Sequence, residues 1–211
     1  MRTLRILILF VFMLPLVSCI DIYQHISKEK NGNINIYLKA SLSKAMLAMA
    51  ELDSESQDIC EDLFDTKEME YFSELPEEIK INLQRIESDY ECGLSFEMSL
   101  DTRSELVQEM ILSDEMPFLP RITNEKLIIE FPSSDESYTF GQEMGIAFLS
   151  AFKYRLTIGK TITPRITRAI LSTDEIDYKL KIVSLPDIFT IEIPLSYLVY
   201  ADTGSALIID F

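Results

Sequence analysis

The 211-residue chain contains no tryptophan, one histidine, three cysteines and six glycines. A zinc site normally draws on several His and Cys side chains, so a protein zinc centre is not expected. Neither glycine-rich phosphate motif, G-x-x-x-x-G-K-[ST] or G-x-G-x-x-G, occurs, which argues against the common nucleotide-binding folds. The absence of Trp also removes the usual aromatic platform of sugar-cleaving enzymes. We therefore expect no metal and no cofactor.

Basic residues are also scarce, with 19 Lys and Arg against 35 Asp and Glu and a net charge of −16. Nucleic-acid binding requires clustered cations that contact phosphates, so no nucleic-acid partner is expected. Apolar residues make up 47% of the chain, which is enough for one sizeable core and excludes a mostly disordered protein.

The N-terminus carries the most specific pattern. Arg2 and Arg5 precede an apolar run over residues 6–17. As a helix this run would measure about 18 Å, too short for a hydrocarbon core of about 30 Å. The order of charge, apolar run and small residues predicts a secretory signal peptide over residues 1–18 that is removed. The mature chain then has no apolar stretch long enough to span a membrane.

The signal ends in Leu16-Val17-Ser18-Cys19, which resembles the lipobox of bacterial lipoproteins. The resemblance implies cleavage between Ser18 and Cys19, a diacylglyceryl thioether on Cys19, and often a further acyl chain on its amine. Two or more acyl chains give stable anchoring to a bilayer. Ile20 replaces the Asp that retains some lipoproteins at the inner membrane, so the outer membrane or the cell surface is favoured. The alternative is an ordinary secretory signal in which Cys19 is incidental.

With Cys19 assigned to lipid, Cys60 and Cys92 remain. An even number of cysteines in an exported chain makes them a candidate disulfide. The alternative is two buried free thiols, which are common in protein cores.

Hydrophobic periodicity predicts both strands and helices. Asn31-Gly32 lies between two alternating segments and predicts an N-terminal β-hairpin. Helical spacing predicts helices over residues 41–52 with Ser41 as N-cap, over 54–64, over 76–90 and over 102–111 with Thr102 as cap. Alternation predicts strands over residues 92–100 and 153–158, and a short apolar run before Pro132 predicts one over 126–131. Several more strands are predicted between 162 and 209, whereas 141–152 fits either class.

These elements predict one α+β domain over residues 19–211. The hairpin and the C-terminal strands would form a mainly antiparallel sheet, covered on one face by amphipathic helices. Residues 51–91 carry a net charge of −12, so those helices would be acidic.

Catalytic residues are not evident in the sequence. His25 is the only histidine and no G-x-S-x-G element accompanies it, so we interpret it as an exposed strand residue.

Several of these features together resemble the LppM-like group of small bacterial lipoproteins. They are the lipobox at Cys19, the hairpin at Asn31-Gly32, a helix from Ser41, and a β-rich C-terminal half with Ile193-Pro194-Leu195 and a turn at Gly204. The resemblance implies an envelope location and an α+β domain, and it implies no catalytic residue.

The expected function is a non-enzymatic binding or scaffolding domain held at the bacterial envelope. Its partners would be the lipid bilayer, through acylated Cys19, and an envelope or host protein. The nine Tyr and twelve Phe leave open a carrier of a small apolar ligand or lipid. An enzyme of unrecognised type is a further alternative.

Overall fold

The computed structural model describes residues 20–45, 79–112, 119–131, 149–199 and 204–211. Within these ranges the chain forms twelve β-strands in two sheets and two short helices. The predicted α+β fold, with acidic helices over one face of a sheet, is therefore wrong. In the described part of the chain the protein is mostly β.

The first sheet has seven strands. They are β1 (Ile20–Lys28), β2 (Ile34–Ser43), β3 (Ile79–Glu87), β4 (Glu91–Leu100), β7 (Lys153–Gly159), β10 (Ile182–Ser184) and β11 (Ile188–Pro194). Their order is β10-β11-β7-β1-β2-β4-β3. Neighbouring strands are antiparallel except β1 and β7, which are parallel.

The second sheet has five antiparallel strands. They are β5 (Arg121–Ile122), β6 (Lys126–Phe131), β8 (Arg168–Thr173), β9 (Asp177–Lys179) and β12 (Ser205–Asp210), in the order β5-β6-β12-β8-β9. Helix α1 (Glu105–Leu112) follows β4, and α2 (Leu195–Val199) follows β11. The predicted single sheet is thus two, because most strands after residue 120 pair with one another.

One hydrophobic core joins the two sheets. Successive side chains of a strand point to opposite faces, so each strand contributes every second residue to this core. Ile26 and Leu156 of the first sheet and Leu207 of the second are fully buried in the same cluster. The rings of Phe131 and Tyr154 meet edge to face across the sheets, with centroids 5.4 Å apart. The opposite face of the seven-stranded sheet carries polar and aromatic side chains, including Tyr23 and Tyr37.

The predicted hairpin is present, since β1 and β2 pair along their whole lengths. Gly32 has φ +98°, a conformation that side chains with a Cβ rarely adopt. The Glu29 carboxylate accepts hydrogen bonds from the side-chain amides of Asn31 and Asn35, at 2.8 and 2.7 Å. The turn is therefore fixed both by its glycine and by a side-chain network.

Two of the predicted helices are contradicted over most of their described residues. Strand β2 continues through Ser43, and Ser41 pairs with Asp21 and Gly93 instead of capping a helix. Lys44 and Ala45 are helical as predicted, and residues 46–52 of this prediction lie outside the described residues. Residues 79–87 of the third predicted helix form β3, whose apolar side chains alternate with exposed polar ones. The predicted helix over residues 54–64 lies outside the described residues.

The helix predicted over residues 102–111 is confirmed as α1, but its cap is different. The N–H of Gln108 donates to the carbonyl of Ser104 at 3.1 Å, which places Ser104 at the N-cap. The Thr102 hydroxyl instead donates to the carbonyl of Gly32 at 3.2 Å. The strands predicted at 92–100, 126–131 and 153–158 are confirmed as β4, β6 and β7.

Candidate functional site

The candidate site lies on the face of the seven-stranded sheet that points away from the core. The register places Tyr37, His25 and Thr157 side by side on β2, β1 and β7. The neighbouring row contains Tyr23 on β1, flanked by Lys39 on β2 and Arg155 on β7. We call Tyr23, His25, Tyr37 and Thr157 the outer-face cluster. Its four side chains come from three adjacent strands.

Thr157 is the centre of the cluster. Its Oγ1 lies 2.9 Å from the hydroxyl of Tyr23 and 2.8 Å from Nδ1 of His25. It also donates toward the carbonyl of Gln24 at 3.4 Å. Thr157 is only 4% exposed although it points away from the core. Its hydroxyl therefore joins Tyr23 and His25 into one hydrogen-bond network, and Tyr37 joins the cluster through its ring contact with Tyr23.

His25 is half-buried in this network. Burial lowers its pKa from the ordinary value of 6.5, because desolvation disfavours the imidazolium. The ring is consequently neutral at pH 7, and one of its nitrogens contacts Thr157. The aromatic rings of Tyr23 and Tyr37 lie 6.0 Å apart at 57°. The middle of the outer face is thus aromatic and uncharged.

Ion pairs border this neutral centre on both sides. Glu192 contacts Lys153 at 2.8 Å and Arg155 at 3.2 Å. The hydrogen bond from Lys153 is the main cause that lowers the pKa of Glu192. On the other side, Lys39 lies 3.1 Å from Glu91 and 3.5 Å from Asp21. Nearly every charge at the border therefore has a partner of the opposite sign.

The Glu91 carboxylate also accepts a hydrogen bond from the Ser41 hydroxyl at 2.9 Å. Hydrogen bonds from Lys39 and Ser41 hold the pKa of Glu91 below its usual value. An uncharged aromatic centre with a polar border is the arrangement found in protein-binding surfaces, in which aromatic residues are enriched and charges lie at the rim.

A second polar pair lies directly beneath the cluster, on the core side of the same strands. The Tyr154 hydroxyl donates to Oε1 of Gln24, and both residues are buried. Burial raises the pKa of Tyr154, so it stays protonated and keeps donating. This bond ties β1 to β7 on the face opposite the cluster.

The residues predicted as sites from the sequence do not belong to the outer-face cluster. Ser18, Cys19 and Cys60 lie outside the described residues. Cys92 is buried on β4 and forms a disulfide. Its predicted pairing with Cys60 stays a prediction.

His25 was expected to be exposed, and this is wrong. It is half-buried and bonded to Thr157, a residue 132 positions later in the chain. Alternation over residues 20–28 does place Tyr23 and His25 on one face of a strand. No local pattern indicates that β7 lies next to them.

In the described part of the chain, no group of three or more His, Cys, Asp or Glu is placed to hold a metal ion. Among the same residues, no helix is both long and apolar enough to cross a membrane.

The burial of His25 predicts a pH dependence of stability. Its folded-state pKa lies below the unfolded value of 6.5, so the unfolded chain binds the proton more tightly. The neutral form of His25 therefore adds to the free energy of unfolding. This addition is fully present above pH 6.5 and is lost as the pH falls from there through the folded-state pKa. We expect the single imidazole resonance in an NMR titration to report a pKa below 6.5. His25→Gln should flatten the stability profile just below pH 6.5, and a titration at or above 6.5 would contradict the burial.

Comparisons of the chain with protein-family models, with curated proteins and with solved structures gave no match. The resemblance to the LppM-like lipoproteins therefore stays a prediction.

Proposed function

We propose that this protein is a non-enzymatic lipoprotein of the bacterial envelope that binds a protein partner through the outer-face cluster. The observation that carries the proposal is the neutral aromatic centre of Tyr23, His25 and Tyr37 bordered by paired charges. Tyr side chains combine a large contact area with a hydroxyl that can form hydrogen bonds. The hydrogen bonds of Thr157 hold Tyr23 and His25 in place before a partner arrives.

The start of the first sheet supports an anchor at Cys19. Strand β1 begins at Ile20, so the lipid would be attached directly before the sheet. The partner of Cys92 decides whether Cys19 is available for lipid, because Cys19 and Cys60 are the other two cysteines of the chain. The lipid anchor requires that Cys92 pairs with Cys60.

The geometry around Thr157 supports binding over catalysis. A hydroxyl beside an imidazole is the arrangement of an activated nucleophile and its base. A nucleophile must also reach a substrate atom about 3 Å away. Thr157 is 4% exposed, and its hydroxyl already has Tyr23, His25 and Gln24 as partners. Its contacts suit a structural hydroxyl that orders the binding surface.

Site-specific photo-cross-linking in intact producing cells tests the proposal. With a photoreactive residue at position 37, we expect one discrete protein adduct, because Tyr37 belongs to the outer-face cluster. Position 208, on the outward face of β12 in the other sheet, is the matched control and should give none. Combining the position 37 probe with Cys19→Ser should greatly reduce the adduct, because the domain leaves the membrane.

Equal cross-linking from positions 37 and 208 would contradict the binding face. An undiminished adduct with Cys19→Ser, together with no lipid mass on the wild-type protein, would contradict the anchor. A stoichiometric lipid in an organic extract of the purified domain would instead favour the carrier function.

A further inference from the structure

We infer that one end of the seven-stranded sheet rests on the bilayer and that Tyr90 enters the membrane interface there. The inference rests on the proposed lipid anchor. We call this the proximal end of the sheet. At this end of the strands, β1 begins, β2 ends, and the turn between β3 and β4 is located.

The anchor is next to the proximal end because no linker separates them. Ile20 is the first residue of β1, and Cys19 is covalently bonded to it. Consecutive Cα atoms are about 3.8 Å apart, so Cα of Cys19 lies at most that far from Ile20, and the thioether sulfur is only its side chain further away. The start of β1 is therefore held close to the bilayer by a short connection.

Tyr90 extends at least as far as the anchor. Ile20 pairs with Leu42, and Leu42 pairs with Cys92. These three residues therefore lie at the same position along the strand direction. Tyr90 precedes Cys92 by two residues, which corresponds to roughly 7 Å along the strand. Its lateral distance from β1 is two strand spacings, about 10 Å. A bilayer that holds the acyl chains of Cys19 therefore meets Tyr90 as well.

The turn that carries Tyr90 is rigid. The N–H of Ser88 donates to the carbonyl of Glu91 at 3.0 Å, and the Ser88 hydroxyl accepts from the N–H of Tyr90 at 3.2 Å. The carbonyl of Tyr90 accepts from the N–H of Lys44 at 2.9 Å. The backbone of Tyr90 is thus bonded to Ser88 in the same turn and to Lys44, which follows β2. The residue as a whole is 81% exposed, the highest value among the exposed large apolar residues of the described chain.

The chemistry of Tyr90 suits the membrane interface. Tyrosine is enriched where membrane meets water, because its ring enters the apolar layer while its hydroxyl stays hydrated. Lys44 lies next to Tyr90 in the register and contacts Glu87 at 3.7 Å. Its flexible stem can extend to the lipid headgroups.

The charges at the proximal end predict whether its contact with the bilayer depends on anionic lipid. Lys39 pairs with Asp21 and Glu91, Lys44 with Glu87, and Lys153 with Glu192. Asp89 adds a further negative charge in the turn. Attraction to anionic lipids needs clustered unpaired cations. The described residues of the proximal end contain no cluster of unpaired cations, so we expect an amphipathic contact that does not depend on anionic lipid.

The test uses tryptophan fluorescence, because the chain contains no native Trp. The acylated full-length mature protein, carrying Tyr90→Trp, is reconstituted into phosphatidylcholine vesicles whose acyl chains are brominated. We expect its emission to shift to the blue and to be largely quenched. The control is Lys30→Trp, an exposed position in the hairpin turn at the opposite end of the sheet. Its emission should stay as in water, and added phosphatidylglycerol should change neither variant.

Acylation is scored separately by the mass of the N-terminal peptide and by vesicle flotation. Acylated, floating protein in which both tryptophans remain water-exposed, or are equally quenched, would overturn the orientation and leave the anchor intact. Protein without lipid on Cys19 would overturn the anchor and the orientation together.

Discussion

Gly93→Ala is expected to lower the free energy of unfolding by about 3 kcal/mol or more, at the upper end of overpacking substitutions. A Cβ at this position would lie 2.2 Å from the carbonyl oxygen of Ala40 and 2.6 Å from Cα of Ser41. Both are backbone atoms of β2, which pairs with β4 at this point. The clash can be relieved only by separating the two strands, which would break ladder hydrogen bonds in the middle of the sheet.

Gly159→Ala is the matched control for this prediction. A Cβ there would meet Oγ1 of Thr161 at 3.1 Å and Cβ of Ser27 at 3.2 Å, so the neighbours need to move by only a few tenths of an ångström. We expect this variant to stay within about 1 kcal/mol of wild type. Urea denaturation of both proteins measures the difference. Equal stabilities of the two variants would show that β2 and β4 do not approach as closely as described.

Loss of the Cys92 disulfide is expected to lower the free energy of unfolding by about as much as Gly93→Ala does. If Cys60 is the partner, the bond closes a loop of about 33 residues and contributes about 3–4 kcal/mol on the chain-entropy model. Reduction should lower the melting temperature by several degrees. The decrease should be larger at low salt, because residues 51–91 carry a net charge of −12 and repel one another more strongly when unscreened.

Cys60→Ser and Cys92→Ser should then lower the free energy of unfolding equally. The double variant should be no less stable than either single variant. Thiol titration of the unfolded, unreduced mature protein should find no reactive thiol, since Cys19 would carry lipid. A Cys60→Ser protein that keeps a disulfide at Cys92 would identify Cys19 as its partner. That result would contradict the proposed anchor as well as the pairing.

Features encoded within a few residues could be predicted from the sequence. The hairpin follows from Asn31-Gly32, because a glycine supplies the positive φ that the turn needs. Strand β3 was mistaken for a helix because Ile79, Leu83 and Ile86 also fit a helical spacing. Pairing with β4 decides between the two periods, and a single sequence does not show that pairing.

The division into two sheets was missed for the same reason. Ile208 pairs with Ile128, 80 residues earlier, and with Ile170. The outer-face cluster depends on an even longer separation, between His25 and Thr157. In contrast, the lipobox is a contiguous signal, so Cys19 could be proposed from the sequence alone.

The position of β1 also determines how the domain would bear mechanical load. A partner that pulls on an anchored protein transmits force to the lipid through Ile20 and β1. This strand is in the interior of the sheet, paired with β2 along its whole length and with β7 over residues 22–26. Force along its axis loads both ladders in shear, so their hydrogen bonds resist together. An edge strand pulled from the side would instead detach one bond at a time, so this attachment suits a domain that must hold a partner under tension.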